Sequence, residues 1–317
     1  MIIRHQVRVI NIRSLCSAFL VVLTTVVDVS TCMPNNSATP RGNETSSNKL
    51  TELQELSRSG DPIAQLRLAT VLRDGTIGIQ DHVQARYWFE QSGKQDNAEA
   101  QLRLGLMFEE GLGGPRDPIK ALYWYELAAS LGNVTAMVRA GDLLKIEALD
   151  PINIIEAVSY YQIAAQNHSS EAQKKLADHI WEGAGTKKDR EKAIYWYQRA
   201  SDQGNTDAKN ALGIAYLHGY SVIKDVTKAL ELIIDAASSG HPAAFHNLGL
   251  IYELGLGVPN DSVYAYLWFD VAASAGHSEA AGFRDGIAMS LSQEDITQAK
   301  EMSLRCQEKR YKNCISF

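Results

Sequence analysis

Small and apolar residues return along this chain at one fixed interval. Ala64, Ala100, Ala136, Ala172, Ala208, Ala244 and Ala280 stand 36 residues apart. Four residues after each of the first six come Leu68, Leu104, Ala140, Leu176, Leu212 and Leu248, followed at once by Ala69, Gly105, Gly141, Ala177, Gly213 and Gly249. Leu72, Phe108, Leu144, Ile180, Tyr216 and Tyr252 complete the set. Spacings of i, i+4, i+5 and i+8 describe one face of an amphipathic helix, here helix A. Its small residue is expected to let a neighbouring helix approach closely. A second set, Ala85, Ala121, Ala157, Ala193, Ala229 and Ala265, predicts helix B. It leads into the pairs Trp88-Phe89, Trp124-Tyr125, Tyr160-Tyr161, Trp196-Tyr197 and Trp268-Phe269, with Leu232-Ile233 as the exception. Four of the five tryptophans share one column, so they read as core side chains.

Punctuation agrees with the pattern. Gly75, Gly111, Gly183, Gly219 and Gly255 follow helix A, where a left-handed residue satisfies the last carbonyls. Asp81, Asp117, Asp189, Asp225 and Asp261 are placed to cap helix B. Six full units span 60–275, a lone helix at 48–59 caps the front, and helices within 277–308 cap the back, the last one opened by Ser292 and Asp295 as a capping box. Unit 132–167 departs from the pattern: Glu147 and Leu149 replace the turn glycines, and Asp150-Pro151 predicts an early start for helix B. The fold class is all-α, a solenoid of 36-residue helix-turn-helix repeats over 49–311.

The motifs Ala-x-x-x-Leu-Gly, Gly-x-Gly, Asp-x-x-Lys-Ala and Trp-Tyr-x-x-Ala-Ala in this frame resemble the Sel1-like repeat family, a relative of the tetratricopeptide repeat. Ala100 to Gly132 is nearly a consensus unit, with Leu104-Gly105, Gly111-Leu112-Gly113, Asp117, Lys120-Ala121, Trp124-Tyr125 and Ala128-Ala129. The resemblance implies a right-handed superhelix whose concave side holds a peptide or a partner domain, in a non-enzymatic scaffold that is often exported. By analogy with tetratricopeptide stacks, the groove positions of helix A are Glu99, Asp142, Lys174, Asp178, Trp181, Asn210, His246 and Glu253. Trp181, the one tryptophan outside the core column, is a candidate anchor. It serves equally well as cover for the neighbouring repeat. A cysteine-rich branch of the family has been called β-lactamase-like. This chain lacks the paired cysteines of that branch.

The first residues have a different character. Arg4, Arg8 and Arg13 precede an uncharged stretch from Ser14 to Val27. That stretch is shorter than the ~20 apolar residues a spanning helix needs, and fits the apolar region of a secretory signal. Residues 1–31 are therefore read as a signal peptide, and 32–48, rich in Ser, Asn, Thr and Pro, as a flexible linker. Val29-Ser30-Thr31-Cys32 resembles a lipoprotein signal, although Thr31 departs from the preferred Gly, Ala or Ser. Plain secretion ranks first, a lipid anchor at Cys32 second and an uncleaved anchor third. The expected location is the periplasm, the outer membrane as a lipoprotein, or outside the cell. Membrane contact is expected only through such an anchor.

Composition narrows the chemistry. A net charge of −6 argues against a general nucleic-acid binder, which needs Lys and Arg for the phosphates. The eight histidines form no His-Glu-x-x-His, no Gly-x-Ser-x-Gly elbow is present, and Gly183-Ala184-Gly185-Thr186-Lys187-Lys188 lacks phosphate-loop spacing. No enzyme, metal or cofactor is expected. Of the four cysteines, Cys306 and Cys314 remain in the mature, oxidising context. In one unbroken helix their Cα atoms would lie ~12 Å apart, so a bridge requires the helix to end near Gln307–Arg310; the disulfide ranks just ahead of two free thiols. The expected function is a scaffold or adaptor for a protein or peptide partner. The alternatives are an envelope hydrolase acting on cell-wall material or β-lactams, and a eukaryotic lumenal adaptor glycosylated at Asn133, Asn167 or Asn260.

Overall fold

Each amphipathic pattern becomes a helix, and each turn signal a break between helices. The computed structural model describes residues 42–76, 78, 80–146, 151–312 and 314; among these there are fifteen helices and no strand. The signal segment 1–31, Cys32 and the inter-helix residues Glu147 and Leu149 lie outside the described residues. Helix α1 (Gly42–Arg58) precedes six hairpins: α2 (Pro62–Asp74) with α3 (His82–Gly93), α4 (Ala98–Glu110) with α5 (Pro118–Ser130), α6 (Val134–Ile146) with α7 (Pro151–Gln166), α8 (Ser170–Glu182) with α9 (Arg190–Asp202), α10 (Thr206–His218) with α11 (Val226–Ser238), and α12 (Pro242–Leu254) with α13 (Ser262–Ser274). Two further helices, α14 (Ala280–Ala288) and α15 (Gln293–Glu308), follow. Within 43–317 every hairpin packs on the next through its second helix, and α13 packs on α15 as well as on α12 and α14.

The boundaries have local causes. Gly75, Gly111, Gly183, Gly219 and Gly255 close the first helices in the left-handed conformation, with φ of 66–80°. Asp81, Asp117, Asp189, Asp225 and Asp261 each accept a backbone N–H at the start of the second helix. The first helices have side-chain caps that the sequence reading passed over: Asp61, Asn97, Asn133, Ser169, Asn205 and His241. Helix α7 begins at Pro151, earlier in its repeat than the other second helices, where a proline needs no N–H partner.

Two expectations need correction. Helix α1 starts at Gly42, inside the stretch 32–48 read as flexible linker. Once the apolar turns from Leu50 onward are docked, each added residue gains a hydrogen bond without a new nucleation cost. The tryptophan column, in turn, is not the deepest one. Phe89, Tyr125, Ile233 and Phe269 are fully buried and Tyr161 and Tyr197 nearly so, whereas Trp88 and Trp196 are half-buried beside the buried Trp124 and Trp268. The second aromatic of each pair faces its own hairpin. The tryptophan, about 100° round the helix, turns toward a neighbour, as Trp124 does toward Gly93 at the end of α3. The small residue of helix A admits a neighbouring helix as expected, namely the second helix of its own hairpin. A methyl group on Gly105 would lie 2.5 Å from the Tyr125 ring, and on Gly249 it would lie 2.6 Å from Phe269.

The C-terminus folds back on the stack. Helix α15 ends at Glu308, Arg310 and Tyr311 take positive φ of 49° and 64°, and Tyr311 lies 4.8 Å from the Phe245 ring. This reversal brings the Cα atoms of Cys306 and Cys314 to 5.1 Å, and the two sulfurs are joined as a disulfide.

Two outcomes follow from this packing. Gly105→Val forces the Tyr125 ring out of place and should cost about 1–3 kcal/mol, the usual range for overpacking, read as a lower urea midpoint. Alkylation of the folded chain should leave Cys306 and Cys314 unlabelled until reductant is added. Labelling of both without reductant would exclude the cross-link.

Candidate functional site

The helix A face of the repeats is built on two inter-helix devices. In the first, a buried glutamine closes the end of the preceding helix: Gln65, Gln101 and Gln173 donate through Nε2 to the carbonyls of Ser57, Gly93 and Ala165. In the second, a phenol from the second helix bonds an acid on the first. Tyr161 Oη donates to Asp142 at 2.7 Å, Tyr197 Oη donates to Asp178 at 2.7 Å, and Tyr125 Oη donates to Glu109. Burial and the adjacent carboxylates hold all three phenols far above the ordinary tyrosine pKa. These tyrosines and glutamines recur at 36-residue intervals, which was the available signal for their roles.

Against this frame, the eight candidate groove residues do not form one site. Asp142 accepts from Tyr161 and from Lys175 of the next repeat at 2.8 Å. Asp178 accepts from Tyr197 and pairs with Lys174 at 2.8 Å. Glu99 pairs with Arg103 at 2.6 Å. Asn210 is buried and accepts from Asn247 Nδ2 at 2.8 Å. His246 is buried too, stacked on His277 with ring centroids 4.4 Å apart and wedged against Phe283. Burial and the neighbouring His277 lower its pKa. Asn210 and His246 are thus structural side chains. Their position on helix A faces the adjacent repeat, and burial there selects hydrogen bonds and stacking over exposure.

Trp181 is half-buried and belongs to an aromatic group. Its ring centroid lies 6.4 Å from Tyr197 and 6.1 Å from Tyr220, and the Arg190 guanidinium sits 5.1 Å over it. Glu253 lines a hollow of about 480 Å³ with Glu279, Phe283 and Ile287. Glu99 lines another, of about 440 Å³, whose walls are Leu53, Leu66 and Val71 and whose rim carries Arg67, Arg73 and Arg103. Arg103 is held by Glu99 and Arg73 by Asp74, while Arg67 makes no ion pair among the described residues. Sequence reasoning missed these arginines because the hollow they border is assembled from α1, α2 and α4, although the acids that hold Arg73 and Arg103 are local in the chain. Among the described residues no group of three or more His, Cys, Asp or Glu is arranged to hold a metal ion, and no helix is long and apolar enough to cross a membrane.

The buried phenols give the fold a pH limit. Their folded-state pKa lies above the unfolded value of ~10, so their contribution is fully present below pH ~10 and is lost as pH rises beyond it. Absorbance titration to high pH, followed beside circular dichroism, tests this. Tyr125, Tyr161 and Tyr197 should ionise only together with loss of helical circular dichroism.

The Sel1 repeat pattern matches residues 62–97, 98–133, 136–169, 170–205, 206–241 and 242–277. The chain is similar to c5321, a protective antigen present in uropathogenic Escherichia coli strains and displaying an SLR fold, at 32% identity and a TM-score of 0.75. That match covers 85% of this chain, which spans only 58% of the other. It is similar also to a Sel1 repeat protein from Oxalobacter formigenes, at 27% identity and a TM-score of 0.62, over 83% of this chain and 82% of that one. No curated protein matches it. Sel1 repeats generally mediate protein–protein interaction and are typically non-catalytic. With six matched units over about two thirds of its length, the chain belongs to the Sel1 repeat family.

Proposed function

We propose that this protein is an exported, non-enzymatic scaffold that binds a peptide or partner domain along the face formed by α2, α4, α6, α8, α10 and α12. The observation that carries this reading is the engagement of three acids of that face, Asp142 and Asp178 by phenols and lysines and Glu99 by an arginine. Asp142, Asp178 and Glu99 are each bonded as described above. Open beside them are the N-terminal hollow, with apolar walls and, on its rim, Arg67, which makes no ion pair among the described residues, and the edge of the Trp181–Tyr220–Arg190 group. Apolar walls beside an oriented charge suit an extended peptide better than bond-breaking chemistry, which needs an acid or base left free. The export reading rests on the basic and apolar pattern of residues 1–31, and places the scaffold in the periplasm, on the outer membrane through Cys32, or outside the cell.

Affinity capture with the full chain tests the reading. A partner held by wild type should be lost or bind about tenfold more weakly, ~1.4 kcal/mol, to Trp181→Ala and to Arg67→Glu. Capture indifferent to both substitutions would move the site elsewhere. Turnover of a β-lactam or cell-wall glycan by the purified chain would replace the scaffold reading with the hydrolase one.

A further inference from the structure

The outer line of the second helices carries a row of large side chains that the fold leaves uncovered. Val83 and Tyr87 on α3, Ile119 and Tyr123 on α5, Ile155 on α7 and Tyr195 on α9 occupy the same two repeat positions, four residues apart, and are 49–81% exposed. Each tyrosine is already held in place. Tyr87, Tyr123 and Tyr195 stand edge-on to Trp88, Trp124 and Trp196 at 5.0, 5.4 and 5.1 Å. Rings fixed in this way lose little rotamer freedom when a surface closes on them. In the fifth hairpin the row stops, at Thr227 and Glu231. In the sixth the equivalent Leu267 is 1% exposed, because α13 has α15 as an additional packing partner. Where the chain supplies its own cover the position is filled. Over the first four hairpins it is not.

We propose that a second copy of this chain covers the row, in a two-fold dimer whose axis runs along the second helices between α5 and α7. Such an axis sets the first hairpin against the fourth and the second against the third, each residue facing its counterpart at the same height. Ile119 then meets Ile155, and Tyr87 meets Tyr195. Beside them, Lys120 meets Glu156 and Lys94 meets Asp202, all four exposed, the lysines adding these partners to the surface pairs they make with Asp117 and Glu90 on their own chain. The charge match answers a local imbalance. Glu156 makes no ion pair among the described residues, and with burial it pushes the Glu126 carboxyl above its ordinary pKa. A lysine from the second copy neutralises that excess. The six row side chains expose roughly 700 Å² by the fractions above, near the ~800 Å² each partner contributes to a standard interface. The charged flanks add the polar rim such interfaces carry.

Sedimentation velocity of the full chain between about 1 and 100 μM tests the proposal. Wild type should reach the dimer mass. Lys120→Glu, which sets acid against Glu156, should weaken association by about tenfold or more, and Lys120→Glu with Glu156→Lys should restore it. Ile119→Ser with Ile155→Ser should give a monomer that keeps the wild-type helical circular dichroism, since both side chains are exposed on the single chain. A wild-type monomer throughout this range overturns the proposal. So does a dimer that ignores the charge reversal, or a monomer that binds phosphatidylserine vesicles through the same row.

Discussion

The contact between the small residue of the first helix and the large side chain that faces it sets the spacing of the hairpin. Gly105 against Tyr125, Gly141 against Tyr161, Gly213 against Ile233 and Gly249 against Phe269 leave no room for a methyl group. Where alanine takes the small position, as at Ala69 and Ala177, it is fully buried. A hairpin fixed at this spacing presents its two outer faces at constant separation. That constancy is the condition for stacking like units in a row. The second glycine of the turn does the same between units: a Cβ at Gly113 would strike the carbonyl of His82, and one at Gly257 would strike Val226, both in the preceding hairpin.

Polar groups inside such a stack must be paired, and the pairing determines what the surface has left to offer. A buried glutamine meets the last carbonyls of the helix before it at Gln65, Gln101 and Gln173. In the sixth hairpin the same position holds Phe245, which stacks on Trp268 instead. The acids Asp142 and Asp178 are committed to phenols, and the lysines beside them are committed to the acids. Charge that looks available in a linear reading is therefore largely spent within the fold. The hollow bordered by Arg67 stays open beside these pairs.

The two ends solve the exposure of a terminal repeat in different ways. At the front, α1 lies before the first hairpin and receives Gln65 through the carbonyl of Ser57. At the back, α15 packs on α13, with Ser303 Oγ donating to Asp270 at 2.7 Å, and the Cys306–Cys314 bridge holds Tyr311 on Phe245. Closure of the back end buries the sixth hairpin on more sides than any other. The uncovered row on the first four hairpins stands out against it.

Periodicity alone determined most of this architecture. Thirty-six-residue columns of Ala, Leu, Gly and aromatic residues specify two helices and two turns per unit, because helix phase and capping are local properties of the chain. The same columns named the family through Ala100 to Gly132. Which aromatic of each pair goes deepest was left to the tertiary structure, since one step along a helix turns a side chain about 100° toward a different neighbour. So were the loss of Asn210 and His246 to the interior and the engagement of Asp142 and Asp178 by residues 19 to 33 positions away. Sequence spacing states which face a residue shares. Only the packed neighbours decide whether that face meets water, a ring or an opposite charge.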